Sequence, residues 1–211
     1  MLLAAGFLAI ERSIHTAAVV GLDTQATLAL QRFHTPALDT LMRGTSYLGA
    51  TGTLWVVVGL VAVALVRGKL WRVLPTLCLV PGSFLVCEAL KHGVERARPT
   101  PNPIRVIAEA HGYSFPSGHA FWSASVYGFI LYLALTQVRS RRWGRLGAAL
   151  AGLIVLAVCV SRVYLGVHWF TDVVAGVLGG SAYVMAVIWV GEPLGSLLER
   201  GLNRAARARR I

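Results

Sequence analysis

Charge is scarce in this chain. Only 14% of the 211 residues are Asp, Glu, Lys or Arg, and nine are acidic. So little charge beside 56% hydrophobic residues and a mean hydropathy of +0.65 excludes an ordinary soluble domain. Cysteine is scarce too. Cys78, Cys87 and Cys159 all fall inside apolar segments, and an odd number without close spacing excludes a disulfide framework and a zinc-ligand pattern. Packing is the role left to them. There is no internal repeat, long linker or low-complexity block, so residues 1–211 read as one integral membrane domain. The first apolar stretch lacks a positively charged leader, which argues against a cleaved signal peptide.

What the chain does have is a series of apolar runs, each about 20 residues long, enough to cross a bilayer. Five strong candidates cover approximately 46–66, 71–90, 119–138, 146–165 and 172–191. A sixth, 2–22, is interrupted by Glu11, Arg12 and His15, and a central charge costs roughly 2.5–3.5 kcal/mol on insertion scales. A Glu11–His15 pair one helical turn apart would ease that cost, and the pattern favours a first span. The expected fold is all-α, a polytopic bundle of about six transmembrane helices. Between the first two spans, residues 23–47 carry Leu38, Leu41, Met42 and Tyr47 at helical spacing, with Asp39 and Arg43 as an i,i+4 pair. This segment reads as either an interfacial helix beside the site or a turn of helix entering the next span.

The net charge of +11 and pI near 10.6 do not indicate nucleic acid, because the basic residues lie between apolar runs and at the C-terminus. They mark topology instead. Arg67, Lys69 and Arg72, then Arg139, Arg141, Arg142 and Arg145, then Arg200, Arg204, Arg207, Arg209 and Arg210 account for 12 of the 20 basic residues. With five strong spans all three groups fall on one side, which the positive-inside rule makes cytoplasmic. The tail from 199 to 211 reads as a basic inner anchor with some attraction to anionic lipid. Trp71, Trp143, Trp169 and Trp189 stand near span ends as interfacial anchors would, and Gly176 with Gly180 predicts close helix packing inside the bundle.

Three motif segments face the opposite, outer side. Lys91 ends one span and Arg98 follows seven residues later, before Pro99. Alone such cations only snorkel to headgroups, and spacing does not rank Arg98 above Arg96. Pro116-Ser117-Gly118-His119 stands immediately before an apolar run, so Ser117, the Gly118 amide and those after it open a helix whose positive end suits a phosphate. A serine N-cap explains Ser117 but leaves His119 without a reason. Ser161-Arg162 then sits near the outer end of a span, where a buried arginine calls for an anion. His168 and Asp172 are four residues apart. On one helical face, the carboxylate could take the Nδ1 proton and leave Nε2 free to attack phosphorus; a self-satisfied structural pair reads equally well from these two residues alone. His92 and His111 read as solvated loop histidines, and the sequence offers His15 and His34 no chemical partner for a site.

Together, Lys91-x6-Arg98-Pro99, Pro116-Ser117-Gly118-His119 and Ser161-Arg162-x5-His168-x3-Asp172 resemble the three-part signature of the type 2 phosphatidic acid phosphatase family at eleven fixed positions. The signature occupies 91–172, and Tyr113-Ser114-Phe115 and Gly166-Val167-His168-Trp169 also resemble bacterial members. The resemblance picks Arg98 over Arg96. It implies a membrane lipid phosphatase that uses no metal or other cofactor, with its site at the outer leaflet of the cell membrane. It further implies His168 as nucleophile, Asp172 as its orienting carboxylate and His119 as acid for the leaving oxygen, with Lys91, Arg98, Ser117, Gly118 and Arg162 holding the phosphate. Undecaprenyl pyrophosphate, phosphatidylglycerophosphate and phosphatidate are the substrates expected from it. A lipid phosphotransferase using the same phosphohistidine remains open, while a transporter or a phosphate binder without turnover has no use for the whole set. Oligomeric state is not legible.

Overall fold

A computed structural model describes residues 2–66 and 82–208. The expectations resting on Arg67, Lys69, Trp71, Arg72, Cys78, the first part of the 71–90 span, Arg209, Arg210 and the Arg207 side chain lie outside the described residues. Eight helices make up the described fold: α1 (Leu2–Ser13), α2 (Ala17–Gln31), α3 (Pro36–Leu48), α4 (Thr51–Val66), α5 (Gly82–Val94), α6 (Gly118–Gln137), α7 (Arg141–Tyr164) and α8 (Phe170–Ala208).

Three of these, Gly118–Gln137, Arg141–Tyr164 and the 170–202 part of α8, are long and apolar enough to cross a membrane singly. Two more crossings are available if each bent pair, α1 with α2 and α3 with α4, is one span. The expected continuous span over 2–22 is therefore corrected to two helices bent by 100°. Local side chains explain the break. The Ser13 hydroxyl donates to the Ile10 carbonyl and the Thr16 hydroxyl to the Ser13 carbonyl, which closes α1, while Thr16 also N-caps α2. Because α1 ends at Ser13, the expected Glu11–His15 pair is not formed among the described residues. In the second pair the bend is 42°, at Gly49-Ala50. Thr35 caps α3, and Pro36 fills its first turn, where a missing N–H costs nothing.

Residues 23–47 form most of α2 and all of α3, and the expected Asp39–Arg43 pair does not appear. Asp39 instead accepts from the Tyr164 hydroxyl at 2.7 Å and pairs with His34 Nδ1 at 3.0 Å, while the Arg43 guanidinium donates to the Ile107 carbonyl. Cross-chain partners won over the local one, and His34 has a neighbour that the sequence did not indicate.

The core forms around α6, which is enclosed between α7 and α8. Glycines permit that closeness. A Cβ on Gly176 would lie 2.7 Å from the Ser117 carbonyl oxygen, and one on Gly179 would lie 2.7 Å from the Phe121 ring, so the expected small-residue packing face is present and wider than the pair Gly176 and Gly180. Outward faces carry Leu153, Leu156, Met185 and Trp189, all well exposed as lipid-facing residues are. Cys87 and Cys159 are buried packing residues.

α6 and α7 are antiparallel neighbours, so the start of α6 and the end of α7 share one end of the bundle. The start of α8, the end of α5 and the connection 95–117 converge there. Arg141, Arg142 and Arg145 lie at the opposite end, at the start of α7.

Candidate active site

The site begins with the short link between α7 and α8. Gly166 adopts φ +68° there, with no room for a Cβ beside the Arg105 carbonyl, and this turn delivers His168 ahead of α8 rather than on it. His168 is 2% exposed. Its Nδ1 lies 2.9 Å from the Ser114 carbonyl oxygen, and its Nε2 lies 3.1 Å from Arg98 Nη1. A carbonyl only accepts and a guanidinium only donates, so the ring carries its proton on Nδ1 and presents a lone pair at Nε2. Burial, then the charges of Arg162, Arg98 and Lys91, holds the imidazole well below the usual histidine pKa, against a weaker opposing effect of the Ser114 bond.

The expected donation of Nδ1 to Asp172 needs correction. Asp172 opens α8 one turn beyond His168, and its Oδ2 is 3.6 Å from Nδ1, an ion-pair distance too long for a hydrogen bond. The Ser114 carbonyl takes the carboxylate's place as acceptor because α8 starts only at Phe170, so His168 and Asp172 do not share a regular helical face. Asp172 is fully buried and held from three directions: Arg96 Nη1 at 2.6 Å, the Ser114 hydroxyl, and the Trp169 backbone N–H at 2.9 Å.

Arg98 is pinned by carbonyls. Its guanidinium donates to Gly112, Val167, His111 and Tyr113 while also meeting His168 Nε2. Burial lowers its pKa somewhat, opposed by the charge of Asp172. Arg96 points elsewhere, between Asp23 and Asp172. Arg98, not Arg96, is the arginine at the His168 imidazole.

Across from His168 stands the start of α6. Ser117 occupies the N-cap position without making a side-chain cap bond, and its buried hydroxyl has no partner. Its own N–H donates to the Asp172 carbonyl at 2.9 Å, which fastens α6 to α8. Phe121 N–H is the first to bond back into the helix, to the Ser117 carbonyl, leaving the amides of Gly118, His119 and Ala120 as the unpaired positive end. Arg162, at the end of α7, donates from Nη1 to Ser46 Oγ at 2.5 Å, while its buried Nε has no partner. Lys91 pairs with Glu88 at 2.7 Å, and its Nζ would lie 3.5 Å from a Cβ on Gly118. His119 stands beside Trp122, ring centroids 5.9 Å apart, with the Gly49 backbone close behind it. Orphaned buried donors are costly, and here two of them, on Ser117 and Arg162, lie at the end of the bundle that holds His168. An oxyanion fits that set. Among the described residues, no group of three or more His, Cys, Asp or Glu side chains is disposed to hold a metal ion.

A family model described as the PAP2 superfamily matches residues 69–194. The chain belongs to the PAP2 superfamily. Phosphatidylglycerophosphatase B of Bacillus subtilis is 33% identical over 172 residues, which cover 81% of this chain and 83% of that protein. The crystal structure of a transmembrane PAP2-type phosphatidylglycerolphosphate phosphatase from the same organism matches with a TM-score of 0.82 at 31% identity, over 90% of this chain and 94% of that one. Mouse dolichyldiphosphatase 1 is 33% identical over 147 residues, covering 64% of this chain and 58% of that protein. LpxE of Aquifex aeolicus shares the fold alone, with a TM-score of 0.61 at 20% identity. This chain is thus a membrane phosphatase of the PAP2 superfamily.

Within this PAP2 fold, the motif residues Lys91, Arg98, Ser117, Gly118, His119, Arg162, His168 and Asp172 all gather at one end of the bundle. The sequence did not single out Asp23, Ser46 or Thr171, and it named Ser114 only as part of a resemblance. Asp23 carried a signal that could have been used: a lone acid within an otherwise apolar stretch, the kind of residue that must find a partner. Ser46 and Thr171 carried none, since hydroxyls in apolar helices commonly bond their own turn.

Proposed function

We propose that this protein hydrolyses the terminal phosphate of phosphatidylglycerophosphate through a phosphohistidine on His168. The observation that carries the reading is the fixed tautomer: Nδ1 is held by the Ser114 carbonyl and Nε2 is turned toward Arg98, among buried donors without partners on Ser117 and Arg162. His168 Nε2 attacks phosphorus, forming the N–P bond as the P–O bond to the lipid breaks. His119, protonated once the substrate's phosphate anion faces it, gives its proton to the leaving lipid oxygen. Water then attacks the phosphohistidine, its proton passes to His119, and inorganic phosphate departs. The α6 amides with Ser117, Lys91 and Arg162 stabilise the equatorial oxygens, where charge spreads in phosphoryl transfer, and Arg98 joins them as its Nη1 passes from His168 Nε2 to a phosphate oxygen. Asp172 stabilises the positive imidazole formed on attack.

The reading is metal-independent because the Asp172 carboxylate is already engaged by Arg96, Ser114 and the Trp169 N–H, so it is not available to a hard cation. An outer-face site in the cell membrane is part of the same reading, supported by Arg141, Arg142 and Arg145 at the far end of the bundle, where the positive-inside rule favours the cytoplasm. Likeness to phosphatidylglycerophosphatase B favours a phosphomonoester, and likeness to dolichyldiphosphatase 1 favours a polyprenyl pyrophosphate as second reading. The test is phosphate release in EDTA from phosphatidylglycerophosphate, undecaprenyl pyrophosphate and phosphatidate, with His168→Ala as control. Release from the first above the others, lost in the variant, is expected. Release from the pyrophosphate alone favours the second reading, and transfer to an added alcohol without release makes the protein a phosphotransferase.

A further inference from the structure

The carboxylate proposed to steady His168 does not act as a free charge, because a buried arginine is bonded to it. Arg96 Nη1 lies 2.6 Å from Asp172 Oδ1, and Arg96 is 6% exposed. A salt bridge this short and dry neutralises Asp172, so the pair on its own offers little field to an imidazole that becomes positive on attack. A second carboxylate restores it. Asp23, on α2 and 0% exposed, lies 2.7 Å from Arg96 Nη2. It also accepts from the Thr171 backbone N–H and hydroxyl, each at 2.8 Å, and Thr171 accepts from Arg96 Nη1 at 2.9 Å. Two carboxylates on one guanidinium carry a net charge of minus one, with Asp172 Oδ2 as the oxygen nearest His168 Nδ1.

We infer that Asp23 is a positioning residue for the phosphatase reaction, offsetting the charge of Arg96 so that Asp172 keeps the negative field that stabilises phosphorylated His168. This rests on the phosphohistidine reading above. It also gives the break between α1 and α2 a purpose, because the bent entry brings Asp23 down to the start of α8, and Arg96 Nη2 ties the break itself through the Ile14 carbonyl at 3.3 Å.

A purely structural clamp makes the opposite prediction about charge, so a double substitution separates the two. Asp23→Asn leaves the network neutral. It is expected to lower kcat on phosphatidylglycerophosphate by about 10- to 100-fold while KM stays within about threefold. Arg96→Gln added to Asp23→Asn removes the bridging cation and returns the network to minus one. It is expected to recover kcat to within about fivefold of the parent, although it deletes further hydrogen bonds. Asp23→Glu keeps the charge and should stay close to the parent. Radiolabelled phosphohistidine, trapped by rapid quench in alkali, gives the readout in each variant. A double variant as slow as or slower than Asp23→Asn overturns the inference, as does an Asp23→Asn variant with unchanged kcat. If Asp23→Asn alone does not fold, the double variant decides by itself: folded and active upholds the charge argument, folded and inactive sinks it. Parent protein that forms no phosphohistidine removes the underlying reaction reading as well, an outcome distinct from both.

Discussion

His168 Nδ1 is bonded to the Ser114 carbonyl at 2.9 Å and not to Asp172, whose Oδ2 stands at 3.6 Å. The backbone fixes the tautomer, and the carboxylate contributes charge. Asp172→Asn should therefore keep Nε2 unprotonated and lower kcat by about 10- to 1,000-fold, whereas His168→Ala abolishes turnover. Single-turnover phosphohistidine formation checks this: a variant Asp172→Asn as dead as His168→Ala would mean that the carboxylate, not the carbonyl, sets the tautomer.

His119 stands at the free end of α6 beside Trp122, and its role as acid makes a prediction about leaving groups. His119→Ala should slow cleavage of a lipid alkoxide by about 100-fold or more but affect an aryl phosphate far less, since a phenolate departs without a proton. Equal losses on both substrates would remove His119 from that role.

The unpaired Ser117 hydroxyl separates function from stability. It is a buried orphan, so Ser117→Ala should leave the thermal midpoint unchanged or slightly raised. Affinity for orthovanadate, a mimic of the transferring phosphoryl group, should fall by about 10-fold as one oxyanion donor is lost. Calorimetry and inhibition on the same preparation test both halves. A large drop in midpoint would show that the hydroxyl serves the fold.

Acid should be tolerated unusually well. A buried imidazole whose pKa is held well below the usual range stays neutral as pH falls through the range where an ordinary histidine protonates. His168 thus keeps its nucleophilic lone pair there, and activity is lost only at lower pH, as pH falls through that depressed value. The acid limb of the activity profile therefore lies below the range where an ordinary histidine titrates. A kcat/KM profile with its acid limb at an unperturbed histidine value, about 6.5, would contradict the burial argument.

Much of the site is legible in the sequence. Lys91, Arg98, Ser117, His119, Arg162, His168 and Asp172 are chemically costly in an apolar chain, so each stands out against its surroundings. The helices were legible where apolar runs are uninterrupted, as in α6, α7 and most of α8. The break at Ser13–Thr16 was missed because span prediction averages hydropathy over a window, while two hydroxyls bonding nearby carbonyls end a helix locally. Asp39 shows the other limit. Its i,i+4 partner Arg43 was plausible by spacing, but Tyr164 comes from 125 residues away, and no periodicity encodes that contact. The partners of Arg96 were hidden for the same reason.

Gly176 offers a test of how tightly packing and chemistry are joined. It sits one turn beyond Asp172 on α8, and a Cβ there would lie 2.7 Å from the Ser117 carbonyl and 2.9 Å from the Ala120 side chain. Neither neighbour can yield easily, because the Ser117 carbonyl accepts the first helical bond of α6 and the Ser117 N–H holds the Asp172 carbonyl. Gly176→Ala should push α6 off α8 and cost about 1–3 kcal/mol of stability by overpacking. Because the displaced atoms are those that aim Ser117 and the free amides at the phosphate, vanadate affinity should fall together with the thermal midpoint. Gly180, a further turn along, packs against Phe121 and Ala124 away from the site. Gly180→Ala should lower the midpoint by a similar amount and change vanadate affinity much less. Matching losses of affinity in the two variants would mean that the helix pair moves as one rigid unit.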